Sequence, residues 1–145
     1  MLFRSIPPIL GPDLLAILRA MGHGDEITIV DANFPADSSG PALVRMDGIS
    51  ATEILDAVLS LLPLDDFVDE AAIVMQTVGD PTRREPVVDA FEGILQQHEP
   101  SMSISSLERF AFYERVKKGY AIVQSGESRL YGNIILKKGV IRPAD

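Results

Sequence analysis

The chain has 145 residues, of which 46% are hydrophobic and 23% charged, enough to bury the core of one domain and too apolar for a disordered chain. A formal net charge of -8 opposes binding to a nucleic acid backbone, and the lack of cysteine excludes disulfides, thiolate nucleophiles and zinc ribbons. No apolar run is long enough to cross a bilayer and the start lacks the apolar core of a secretory signal, so a soluble cytoplasmic protein is expected.

The first helix is announced by Gly11-Pro12-Asp13, where proline suits the first helical position and an acid lies beside the positive helix end. Leu14, Leu15, Ile17, Leu18 and Met21 recur at three-to-four spacing, and Gly22 is the expected stop. Residues 27–30 are short, apolar and half β-branched, and read as a buried strand. A loop rich in turn formers, through Pro35, Ser38, Ser39, Gly40 and Pro41, leads to a second strand over 43–46. Ser50 and Glu53 form a capping box. They open a helix with Ile54, Leu55, Val58, Leu61 and Leu62 on one face, ended by Pro63. The next strand is expected over 71–78, interrupted by Gln76 and closed by Gly79-Asp80-Pro81. Pro86 starts a helix bearing Val87, Val88, Phe91, Ile94 and Leu95.

Ser105-Ser106-Leu107-Glu108 reads as a second capping box, so the spacing predicts a helix over 107–118 with Gly119 as its stop. Two more strands, over 120–123 and 134–136, are joined by a loop around Gly126 and Tyr131 and end the chain as a pair. Strands alternating with helices favour an α/β fold, a three-layer α/β/α single domain spanning residues 1–145. Its sheet is expected to be mixed or mainly parallel, with helices on both faces.

With only His23 and His98 present, and no His-Glu-x-x-His or calcium-loop pattern, no metal site is expected. The phosphate-cradling glycine patterns and the Gly-x-Ser-x-Gly elbow are absent too. What remains is acid-base chemistry without a cofactor. His23 suits it, because an imidazole titrates near neutral pH and His23 sits between Gly22 and Gly24, after a helix and before a strand. The alternative is a histidine that caps the helix end or packs under a loop. Asp31 ends the strand that follows, where a carboxylate can hydrogen-bond sugar hydroxyls, orient a base, or simply cap a turn. Asp25 reads as a loop-stabilising residue. Arg109 and Tyr113 stand four apart on one helical face, within reach of a polar ligand or else as an ion pair and a half-buried tyrosine. Tyr131-Gly132-Asn133 offers a phenol, close access and an amide, or a purely structural turn.

Four blocks carry a resemblance: Gly22 to Ile27, Asp31-Ala32-Asn33-Phe34-Pro35-Ala36, Arg109 to Arg115, and Tyr131 to Val140. In order and approximate spacing they resemble the family that L-fucose mutarotase shares with D-ribose pyranase; the match is weak between about residues 59 and 105. The resemblance implies a cofactor-free isomerase that interconverts sugar anomers, with His23 as the catalytic group. It implies that Asp31, Arg109, Tyr131, Gly132 and Asn133 hold the sugar. Gly24 and the arginine-aromatic block favour the fucose branch. D-ribose pyranase is the alternative activity, and a non-catalytic sugar-binding module, which would not require His23, is the alternative class. The implied partners are a monosaccharide and further copies of the chain, in a ring-like homo-oligomer such as a decamer with sites near subunit contacts. Neither nucleic acid nor membrane is expected.

Overall fold

Proline, serine and acidic caps divide the chain into helices whose starts are locally encoded, as seen in a computed structural model that describes residues 2–144. Helix α1 (Pro12–Ala20) begins with proline at its first turn and carries Asp13 there, while the Met21 N–H closes it on the Ile17 carbonyl. Helix α2 (Ala51–Leu59) is capped by the Ser50 hydroxyl, which accepts from the Glu53 N–H at 3.3 Å. Leu61 and Leu62 continue past it as a turn bonded to the Val58 carbonyl rather than as helix. Helix α3 (Pro86–His98) again starts on proline.

The last helix departs from expectation. Ser105-Ser106-Leu107 is not the head of a helix but a short strand, β4 (Ser105–Leu107), paired in parallel with β3 (Ala72–Met75). Sheet pairing takes the backbone groups that a helix would have used. Helix α4 (Arg109–Lys117) therefore starts two residues later than predicted, and Glu108 is its cap. One carboxylate oxygen of Glu108 accepts from the Phe110 and Ala111 N–H groups at 2.9 and 3.1 Å. Strand β3 is also shorter than predicted, because beyond Gln76 the chain folds back and Thr77 bridges Asp80.

The remaining strands are β1 (Glu26–Val30), β2 (Ala42–Met46), β5 (Ala121–Ser125) and β6 (Ile134–Lys137). The sheet order is β2-β5-β1-β6-β3-β4. Strands β5 and β6 do not pair with each other as expected; β1 lies between them, parallel to β5 and antiparallel to β6. Strand β6 alone runs against the other five. Its beginning therefore shares an edge with the carboxyl ends of β1, β3 and β5.

The predicted three layers are present. Alternate residues of the central strands, such as Ile27, Ile29, Val74, Val123 and Ile134, face a core shared with α1, α2 and α3. Those of opposite parity, Val30, Ile73, Ile122 and Ile135, face a smaller core closed by Phe112 and Val116 of α4 and by Phe34. Phe112 is wholly buried, with its ring edge-on to Phe34 at 6.3 Å. Phe112→Ala should accordingly destabilise the fold by about 3–5 kcal/mol, read by denaturant unfolding; a loss under about 1 kcal/mol would mean that α4 is not packed as described. Among the described residues no helix is long and apolar enough to cross a membrane.

Candidate functional site

Because β6 runs against its neighbours, the turn before it meets the loops that leave β1 and β3. Asp31 follows β1, Arg109 and Tyr113 come from the first turns of α4, and Tyr131 and Asn133 come from the turn before β6. Together with Asn33, Phe34, Met75, Val78 and Leu130 they line a cavity of about 200 Å³. Open α/β sheets place ligands at this edge, outside the carboxyl ends of the strands. Four of the six predicted site residues, Asp31, Arg109, Tyr131 and Asn133, line it.

Asp31 is 4% exposed and closely held. Its own N–H donates to Asn133 Oδ1 at 2.8 Å, and its carboxylate accepts from the Asn33 N–H at 3.0 Å. Gln124 Nε2 donates to the main-chain oxygen of Asp31, and Ser125 Oγ donates to the Val30 carbonyl at 2.5 Å. Burial pushes the Asp31 carboxyl above its ordinary value of 3.8, against hydrogen bonds from Asn33, Gly132, Asn133 and Phe34 that pull it down. Gly132, the fifth predicted residue, lies beneath the cavity rather than in its lining. A Cβ on it would sit 2.9 Å from Glu127 Cγ and 3.3 Å from the Arg129 carbonyl oxygen, so a larger residue would have to displace Glu127.

Tyr131 adopts a φ of +64°, in the left-handed region that a bulky side chain rarely occupies. Its phenol oxygen accepts from the Val78 N–H at 3.1 Å, which leaves the phenol proton free for a ligand. Arg109 lies over the Phe110 ring at 4.5 Å. Its Nε is buried and has no hydrogen-bond partner among the described residues. The residue lines the cavity, and its guanidinium is the kind of group that a polar ligand satisfies.

An ion pair steadies the turn. Glu127 is 5% exposed, and its carboxylate is held below its ordinary value by Arg129, at 2.8 Å, against the opposing effect of burial. Its main-chain oxygen accepts from the Ala32 N–H. A depressed acid stabilises the fold above its unfolded value and ceases to do so as pH falls through its folded value. Glu127→Gln should therefore lower stability at pH 7 by on the order of 1 kcal/mol. The gap should close as pH drops below the ordinary 4.5. Melting curves of both proteins across pH 3–7 check this, and a gap that is constant with pH would remove the electrostatic account. Asp31 has the opposite sign. Its ionisation opposes folding increasingly as pH rises through its elevated value.

The sixth residue stands apart. His23 precedes β1, whereas Asp31 follows it, so about 13 Å of strand separates the two ends at about 3.3 Å per residue. The loop around His23 folds through Gly24 at φ +87°, where the Gly24 N–H reaches the Lys138 carbonyl at 2.8 Å. Asp25 stabilises this loop, as expected, through the Gly22 N–H at 2.7 Å. The His23 ring is half exposed, with Nε2 3.1 Å from Asp65 Oδ1 and the Phe67 ring 5.4 Å away. Sequence reasoning assigned nothing to Asp65 or Phe67. The one local signal is an acidic pair, Asp65-Asp66, followed by an aromatic residue just past the helix stop at Pro63.

Exposed apolar side chains border both places. Val78, Phe110 and Leu130 stand by the cavity, and Phe67, Val68 and Ile141 stand on the His23 side. Among the described residues, no three His, Asp or Glu side chains gather where a metal ion could be held.

A sequence model described as the RbsD / FucU transport protein family matches residues 4–141. The fucose mutarotase of Homo sapiens is 46% identical over 144 residues, which cover 95% of this chain and 94% of that protein. The crystal structure of FucU from Bifidobacterium longum superposes with a TM-score of 0.91 at 46% identity, covering 96% of this chain and all of that one. The fucose mutarotase of Streptococcus pneumoniae, in complex with L-fucose, gives a TM-score of 0.88 at 43% identity over 97% of this chain and 100% of that one. Matched over nearly its whole length in both sequence and fold, the chain belongs to the RbsD/FucU family.

Proposed function

We propose that this chain is a cofactor-free L-fucose mutarotase, an isomerase that interconverts the α and β anomers of the free sugar. The observation that carries the reading is the cavity at the carboxyl edge of the sheet. There the buried Asp31, the Asn133 amide, the Tyr131 phenol and the Arg109 side chain converge on a space suited to one small polar molecule. Sugar hydroxyls both donate and accept, so they can answer the carboxylate and the guanidinium at once. Relatives at 43–46% identity named as fucose mutarotases, one of them holding L-fucose, support the choice of sugar.

Anomer exchange needs two coupled proton transfers. The anomeric hydroxyl loses its proton as the ring oxygen gains one, the C1–ring oxygen bond breaks, and an open-chain aldehyde forms. Rotation about the C1–C2 bond exposes the other face of the carbonyl. The former ring oxygen, now a chain hydroxyl, then attacks the carbonyl carbon and gives up its proton, while the carbonyl oxygen takes one and becomes the anomeric hydroxyl of the other anomer. His23 is the group for one transfer, and Tyr131 and Asp31 flank the place of the other. Arg109 and Asn133 orient the sugar. Positioned proton transfer of this kind contributes on the order of 10²–10⁴-fold.

No single copy can offer His23 and the cavity to one sugar, since they lie at opposite ends of β1. The site is therefore completed between copies, with the His23 edge of one docked on the cavity edge of another. The exposed apolar side chains bordering both edges suit such a contact, and head-to-tail contact of unlike surfaces gives a ring when the rotation between copies closes.

Saturation-transfer NMR on L-fucose tests the reading. Added protein should accelerate exchange between the α and β signals. Binding without acceleration would indicate a sugar-binding module instead. Faster pyranose–furanose exchange of D-ribose, with none for fucose, would indicate the pyranase. Tyr131→Phe narrows the assignment, since it keeps the ring and removes only the phenol. Its exchange rate should fall by about tenfold or more with little change in fucose affinity, whereas an equal loss in both would mark Tyr131 as a binding group only.

A further inference from the structure

The mutarotase reading leaves one buried acid without a role. Asp65 is 3% exposed and lies in the turn after Pro63. Its N–H donates to the Lys137 carbonyl at 3.0 Å, and Leu64 beside it bridges Lys138. The carboxylate oxygen Oδ1 accepts from the Phe67 N–H at 3.1 Å. Asp65 is thus anchored to the end of β6 by contacts that do not involve His23. His23, by contrast, has few neighbours: the Asp65 oxygen at 3.1 Å and the tilted Phe67 ring. The Arg142 guanidinium lies 4.8 Å over that same ring and is paired with Asp66.

An ionised carboxylate can only accept a hydrogen bond. Whenever this contact is made, His23 Nε2 must therefore be the nitrogen that carries hydrogen, and in the neutral ring Nδ1 is left with the lone pair. We propose that Asp65 is a positioning residue for the mutarotase reaction: it fixes His23 as the Nε2–H tautomer and so presents Nδ1 as the atom that exchanges protons with the sugar. The inference rests on the mutarotase reading and on His23 as its proton-transfer group. When Nδ1 takes the proton of the anomeric hydroxyl, the imidazolium that forms lies against the Asp65 carboxylate, and the hydrogen bond persists through both protonation states.

The surrounding charges are consistent with an ionised acceptor. Burial alone would push the Asp65 carboxyl up. The His23 hydrogen bond, the Phe67 N–H and the charges of His23 and Lys137 outweigh it and hold the group below its ordinary value. The other charged groups about the ring are Asp25 on its own loop, Asp66 on the Asp65 turn, Lys137 and Lys138 at the end of β6, and Arg142 beyond them. Asp65 is the one in hydrogen-bond contact with the imidazole.

Long-range proton–nitrogen correlation spectra of the protein labelled with nitrogen-15 histidine read the tautomer directly. His23→Ala assigns the signals and separates them from those of His98. In the parent protein, at a pH where the His23 ring is neutral, the Nε2–H pattern is expected; an Nδ1–H pattern overturns the proposal. In Asp65→Asn the single-tautomer signature should be lost. With it, kcat for fucose exchange should fall by about 10–100-fold, the usual loss when the group orienting a functional histidine is removed, and KM should hold within about twofold. A variant that stays within about threefold of the parent rate, or that loses rate while the Nε2–H pattern persists, overturns it. If Asp65→Asn does not fold, the parent spectrum decides. Should His23→Ala retain full exchange, the role of His23 falls and this proposal with it. If His23→Ala is inactive and Asp65→Asn exchanges like the parent, only the positioning role is lost.

Discussion

Replacing His23 by alanine is expected to slow L-fucose anomer exchange by about 10²–10⁴-fold while leaving the melting temperature close to that of the parent. The two halves of this expectation have separate grounds. The His23 side chain is 45% exposed and sits in a glycine-flanked loop, so its removal opens no cavity in the core. Asp65, its hydrogen-bond partner, keeps the Phe67 N–H and is not left unsatisfied. The loss of rate follows because no other imidazole is near: His98 ends α3 and is paired with Asp56 at 2.7 Å. Exchange within about threefold of the parent would remove His23 from the reaction, given the usual size of such proton-transfer effects. Fucose affinity, read by the shift in melting temperature, should change much less than the rate, because the groups proposed to hold the sugar lie at the other end of β1.

The second large effect is a restoration. Arg109→Ala removes a cavity-lining side chain whose Nε bonds to no other described residue, so the fold loses little and sugar binding much. Alone, His23→Ala and Arg109→Ala should each be nearly inactive. Mixed in equal amounts, dissociated and reassembled, they should recover about one-quarter of the parent rate, since on the proposed reading each site draws its histidine edge and its cavity edge from two copies at random. Size-exclusion chromatography of differently tagged variants would establish that mixed oligomers had formed. Mixed oligomers that remain at background activity would sink the idea that a site is shared between copies.

What was legible in the sequence was what is encoded locally. Pro12, Ser50 and Pro86 each open a helix where predicted, because a cap acts within one turn of the chain. The stretch Ser105 to Glu108 was misread for the complementary reason. Its capping pattern is real as a pattern, but the pairing of Ser105 with Ile73 is non-local and takes precedence. The same holds for β5 and β6, adjacent in sequence yet separated by β1 in the sheet. Within the candidate site, the residue types at Asp31, Arg109, Tyr131 and Asn133 could be singled out from the sequence. Their convergence was implied by the resemblance alone; spacing could not give it, because it depends on β6 running against its neighbours. Asp65 was out of reach altogether: it meets His23 across 42 positions, in a stretch with no periodicity and only a weak family match.

The placement of His23 and Asp31 at opposite ends of β1 also bears on how much protein is needed before any works. On the proposed reading, a ligand-binding edge and a proton-transfer edge meet only across a contact, and function becomes a matter of mass action. Below the dissociation constant of that contact, dilution would not merely spread the activity thinner but switch it off, with the rate falling more steeply than the amount of chain present. Sugar binding to the cavity edge alone would be far less sensitive to dilution. A cell holding this protein near that threshold would register a modest change in its abundance as a much larger change in the speed of sugar equilibration.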